Sequence, residues 1–218
     1  MVVTLTVRGP SWFFGIDCLF ECFAAVALVL VTWFSFKAYK FTKDKRYRTF
    51  SIGFGLMLLG IVSRALADMI VYAGWETKPI VLLAGYAGYM GLTLVSLVVL
   101  FALTMKTKQK APFVALLLVS LLLILFSESY RLSFHSISLI LLAFISYHFI
   151  RNFFEKKSVC AFLVCSSFIL FALAQLAFIF DIVMQKYYII GHLVHLVAFA
   201  ALLVALVRML RAPAKRKK

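Results

Sequence analysis

Acid is scarce in this chain: eight Asp and Glu stand among 218 residues, against 23 Lys and Arg, for a formal net charge of +15. Charged residues of all kinds reach only 14%, well below the roughly 25% of soluble domains, so a soluble globular fold is excluded. Proline is nearly absent from the apolar stretches. Pro10, Pro79, Pro112 and Pro213 fall at their ends or outside them. The four cysteines form no Cys-x-x-Cys pair, which removes the common zinc-ribbon and dithiol patterns. Segments of about ten residues alternating apolar and polar, the mark of a transmembrane β-barrel, are also missing. The opening "MVVTLTVRGPSW" lacks a charged leader region and a small-residue cleavage site, so the first apolar stretch reads as retained.

What remains is apolar on every face. Hydrophobic residues make up 65% of the chain and the mean hydropathy is +1.05. A membrane-spanning helix needs roughly 20 such residues, and seven candidate spans fit: 12–36, 49–74, 79–105, 112–127, 132–150, 158–184 and 188–210. The expectation is an all-α membrane protein, a single polytopic seven-helix bundle over 1–218 with a basic tail at 211–218. The fourth span is the shortest.

Charge sets the expected orientation. Lys37, Lys40, Lys43, Lys45, Arg46 and Arg48 follow span one; Lys106, Lys108 and Lys110 follow span three. Arg151, Lys156 and Lys157 follow span five, and Arg208, Arg211 and Lys215 to Lys218 follow span seven. The opposite side carries Arg8, Lys78, Arg131 and Lys186. This bias predicts an outside amino terminus, a cytoplasmic carboxyl terminus and a multi-pass protein of the cell membrane. Juxtamembrane clustering suits an anionic inner leaflet and argues against nucleic acid as the partner. A cytoplasmic protein contacting the basic loops is the other expected partner.

Two further patterns bear on architecture. "FKAYKFTKDKRYRTF…LADMIVY" resembles "FIRNFFEKKSVCAF…FIFDIVM", hinting at a three-plus-one-plus-three repeat of the kind some transporters use. Span three holds "GYAGYMG", whose Gly85, Gly88 and Gly91 suit close helix packing, with Tyr86 and Tyr89 as secondary ligand-facing candidates. Seven-span sugar transporters of the SWEET type carry prolines within their repeats, and a retinal protein needs a lysine in its last span. Neither feature occurs here.

The candidate site is a layer of polar residues. At about 1.5 Å per residue, Asp17, Glu21, Arg64, Asp68, His135, Gln175, Asp181, His192 and His195 fall at one depth, near the outside, whereas His148 lies at the opposite end. Asp17 with Glu21, Arg64 with Asp68, and His192 with His195 have the spacing that shares a helix face. Ionisable groups inside a membrane face a cavity or one another. An outward-opening polar cavity built by spans one, two, five, six and seven is therefore expected, with Asp17, Glu21, Arg64, Asp68, Gln175 and Asp181 binding a ligand. Three uses compete. The leading one is sensing of a small ligand or a proton through a partner; the second is transport of a small solute or cation. The third is a metal- or haem-binding enzyme or redox subunit. There His192, His195 and His135 would hold zinc or haem, and a metal with an open position could activate water.

Overall fold

The computed structural model describes residues 11–13, 16–72, 79–105 and 111–211. Arg8, Lys78, Lys106, Lys108, Lys110 and the tail from 212 onward, on which part of the charge pattern rests, lie outside the described residues. Among the described residues, a 3-10 turn, Ser11–Phe13, is followed by seven helices: α1 (Ile16–Thr42), α2 (Lys45–Tyr72), α3 (Pro79–Met105), α4 (Ala111–Leu125), α5 (Tyr130–Lys156), α6 (Val159–Phe180) and α7 (Lys186–Arg211). Six of them are long and apolar enough to cross a membrane. The fourth, α4, lies within two residues of the expected 112–127 but is not one of the six. Its 15 residues rise only about 22 Å, short of the roughly 30 Å hydrocarbon layer.

The helices start and stop where local chemistry dictates. Pro79 opens α3 and Pro112 sits in the first turn of α4, positions where the missing N–H costs nothing. Helix α1 ends on Lys43 (φ 57°), whose N–H donates to the Tyr39 carbonyl at 2.8 Å; α5 ends on Lys157 (φ 44°), donating to Phe153 at 2.7 Å. Ser158 then caps α6, its Oγ accepting from the Ala161 N–H, and Asp44 accepts from the Arg46 N–H at the start of α2. The two turns are the same device, 114 residues apart.

Packing follows that likeness. The pairs α1–α2, α2–α3, α5–α6 and α6–α7 lie side by side, and α1–α7 and α3–α5 close a ring of six. Helix α4 packs against α3 and α5 from outside the ring. Exchanging the triplet α1–α3 with the triplet α5–α7 leaves this neighbour pattern unchanged, which is the arrangement a parallel three-plus-one-plus-three repeat produces. Leu28, Phe54, Leu94, Phe134, Ile145, Phe168 and Phe199 fill the ring's interior, fully buried. Phe23, Trp33, Leu59, Leu118 and Phe162 stay exposed on its outer surface, as a lipid-facing surface requires.

Glycine brings α2 and α3 together. A Cβ on Gly85 would collide with Ala67, and one on Gly88 would come 2.6 Å from Ser63 Oγ. Ser63 Oγ donates to the Gly85 carbonyl at 3.2 Å. Gly91, third in the row, faces open space and takes no part.

Candidate functional site

Acidic residues gather at the end of the bundle where α1, α5 and α7 begin and α2 and α6 finish. Five of the sequence-predicted residues, Asp17, Glu21, Arg64, Asp68 and Asp181, are buried there within ion pairs or hydrogen bonds. Arg64 is the hub. Its Nε lies 2.9 Å from Glu21 Oε1 across the α1–α2 contact and 3.5 Å from Asp68 Oδ2, one turn on along α2. Its terminal nitrogen donates to Tyr188 Oη at 3.0 Å, and that hydroxyl donates to Asp17 Oδ2 at 3.1 Å. Tyr86 Oη donates to Asp68 Oδ1 at 3.2 Å. The guanidinium carbon also stands over the rings of Tyr86 and Tyr89, 5.7 and 5.3 Å from their centroids, a placement favourable to a desolvated cation.

A second group lies between α5 and α6. Arg131 pairs with Asp181, and His135 Nδ1 lies 2.7 Å from Gln175 Oε1, a contact in which the ring nitrogen donates. Tyr188 joins the groups, since Arg131 also stands over its ring at 5.7 Å.

The three histidines come near one another without converging. Phe178 sits among them, its ring 5.2 Å from His135, 5.2 Å from His192 and 6.2 Å from His195, centroid to centroid. Among the described residues, no three His, Cys, Asp or Glu side chains are grouped to hold a metal ion. With no such group among the described residues, Phe178 packed against each imidazole and His135 engaged by Gln175, the residues present do not fit zinc or an axial haem pair. Cys18, Cys22, Cys160 and Cys165 are free thiols.

The space at this end is small. Glu21, Arg64, Tyr89, Phe178, His192 and His195 help to line a cavity of about 20 Å³, room for about one water molecule. His192 is 5% exposed, and among the described residues neither its Nε2 nor Glu21 Oε2 has a hydrogen-bond partner. Among the described residues, the polar groups expected to line an open cavity form a packed, ion-paired network beside this small void. Three participants were missed by the sequence reasoning as site residues: Tyr188, Arg131 and the supporting α6 aromatic Phe178. Tyr188 carries a signal in retrospect, standing one turn before His192 with ring centroids 4.6 Å apart. Helix α3, absent from the expected cavity wall, contributes Tyr86 and Tyr89.

Compared with known protein families, characterised proteins and solved structures, the chain matches none.

Proposed function

We propose that the protein is a proton-sensing seven-helix protein of the cell membrane, its acidic end facing outward and its basic end in the cytoplasm. One observation carries the reading: Glu21 and Asp68 share the single guanidinium of Arg64 inside an apolar bundle. One arginine compensates one carboxylate. Leaving a second negative charge in low dielectric is costly, so the trio has a place for one proton, and the void beside Glu21 and His192 offers water a route to it. Every neighbouring helix supplies a polar or titratable partner: Asp17 from α1, Tyr86 and Tyr89 from α3, Tyr188, His192 and His195 from α7, and His135, Arg131 and Asp181 from the α5–α6 side. A void of one water's volume favours a proton over a larger ligand.

Uptake of the proton weakens the hold of one carboxylate on Arg64 and so loosens α1 or α2 against its neighbours, a change that a cytoplasmic partner on the basic loops reads. The test is infrared difference spectroscopy of the protein in lipid nanodiscs between about pH 5 and about pH 8. A protonated-carboxyl band that disappears in Glu21→Gln or Asp68→Asn supports the reading; identical spectra in wild type and both variants refute it.

The repeat-like architecture favours transport as a second reading. Tyr188 ties the two triplets together at the acidic end, and rocking one triplet against the other would break its bonds to Arg64 and Asp17. Proton-driven uptake in proteoliposomes that fails in Tyr188→Phe would select transport over sensing.

A further inference from the structure

A cavity of about 570 Å³ lies at the other end of the bundle, between α2, α3, α5, α6 and α7. That volume is within the roughly 300–1,000 Å³ of small-molecule sites, and none of the carboxylate cluster lines it. Its wall has two chemistries. Toward the membrane interior, Phe50, Phe149, Val164, Leu202 and Leu206 form an apolar floor. At the mouth stand Arg46, Arg151 and Lys156, all exposed, with His148 just inside. Two acids share the mouth, Asp44 and Glu155. Asp44 is turned to its own helix, accepting the Arg46 N–H at 2.9 Å. The mouth therefore keeps a net positive charge, and the positive ends of α2 and α6, which start at Lys45 and Val159, add to it.

We infer that this cavity binds an anionic phospholipid from the adjoining leaflet, its phosphate held by Arg46, Arg151 and Lys156 and an acyl chain lying on the aromatic floor. Charge complementarity at the rim and an apolar interior below it match an amphiphile. A purely soluble phosphate compound would leave the floor uncovered, and an uncharged lipid would leave the surplus positive charge of the mouth uncompensated. Arginine at the mouth supplies the forked donor geometry that phosphate oxygens accept. The site is separate from the Arg64 cluster, so it stands or falls independently of the proton reading.

Cys160 lines the cavity and reports on its occupancy. The experiment measures the rate of maleimide labelling at Cys160, read by peptide mass spectrometry so that the other three thiols serve as internal controls. Full-length protein is placed in nanodiscs of neutral phosphatidylcholine, or of phosphatidylcholine with phosphatidylglycerol, and native mass spectrometry counts the lipids retained. The expected result is slower labelling of Cys160 alone in the anionic discs and one retained phosphatidylglycerol. Removing charge in Arg151→Gln/Lys156→Gln should weaken retention about fivefold for each basic residue lost, while Arg151→Lys keeps most of it. Both residues are exposed, and an unchanged melting temperature in neutral discs establishes that the variants fold. Equal labelling and retention in the two compositions overturns the inference. So does protection by inorganic phosphate or a soluble nucleotide in neutral discs with none from phosphatidylglycerol, which would assign the cavity to a water-soluble anion.

Discussion

The shared arginine makes a sharp prediction about additivity. In Glu21→Gln, Arg64 keeps Asp68 as its counterion at 3.5 Å; in Asp68→Asn it keeps Glu21 at 2.9 Å. Each single variant therefore loses one charge pair but leaves the guanidinium compensated, and should cost no more than about 1–2 kcal/mol. The double variant strips both partners from a side chain whose residue is only 9% exposed. An uncompensated buried charge costs about 3–5 kcal/mol, so the double variant should cost more than the sum of the singles, by about 1 kcal/mol. The attraction in question is of the order of the buried-charge cost, about 4 kcal/mol for unit charges 4 Å apart at an effective dielectric of about 20. Arg64→Gln, which leaves two carboxylates and no cation, should resemble the double variant in cost. Combining all three substitutions should recover part of the loss, because a neutral hydrogen-bonded trio has no charge to desolvate. The assay is reversible unfolding in mixed micelles, with the four corners of the Glu21/Asp68 cycle measured at one pH. Singles that add to the double within about 0.5 kcal/mol would place the two carboxylates in independent environments and refute the shared-arginine argument.

Other outcomes test separate parts of the structure. Tyr188→Phe deletes the hydroxyl that links Arg64 to Asp17 and should cost about 1–3 kcal/mol in the same unfolding assay; a neutral result would mean the hydroxyl bridges nothing. Gly85→Val drives a side chain into Ala67 and should destabilise by about 1–3 kcal/mol, with partial rescue by Ala67→Gly and no comparable effect from Gly91→Val, which faces open space; equal costs at 85 and 91 would contradict the α2–α3 crossing. For orientation, an impermeant maleimide applied to intact cells should reach Cys160 only after permeabilisation, and labelling before it would invert the proposed topology.

Much of this arrangement was legible in the sequence because membrane helices announce themselves by composition. The stretches containing α1 to α3 and α5 to α7 are long, apolar and free of internal proline, whereas α1 and α5 run on to Thr42 and Lys156, six residues past the apolar stretches that end at 36 and 150. Helix α4 was legible as the shortest of the seven: "PFVALLLVSLLLILF" is apolar, and the polar run Ser127, Glu128 and Ser129 stands where the chain turns after Leu125. Within the site, Glu21, Arg64 and Asp68 were legible because charge in an apolar run is conspicuous and their spacing gives the shared face. Tyr188 was not, because a tyrosine near a helix end reads equally well as an interfacial anchor. The volume of the site was hidden for a related reason. Sequence shows which polar groups share a depth, whereas Phe178, an ordinary aromatic among 23 phenylalanines, decides whether three imidazoles meet or are held apart.

The repeat ties the two ends of the molecule together. In each triplet the first two helices join through a left-handed lysine, Lys43 or Lys157, followed by a capping Asp44 or Ser158. These equivalent turns place the starts of α2 and α6 beside the same basic-end cavity. At their other ends the same two helices carry Asp68 and Asp181, each paired with an arginine, but the arginines differ in origin. Arg64 comes from α2 itself and lies 9% exposed, whereas Arg131 comes from α5 and is only half-buried. The two triplets have the same order of neighbouring helices and different electrostatics. One holds two carboxylates on an interior cation, and the other holds one carboxylate on a cation nearer the surface. Tyr188, bonded to Arg64 and Asp17 and lying beneath Arg131, is the side chain that touches both groups, and it is there that a change of charge in one would be felt by the other.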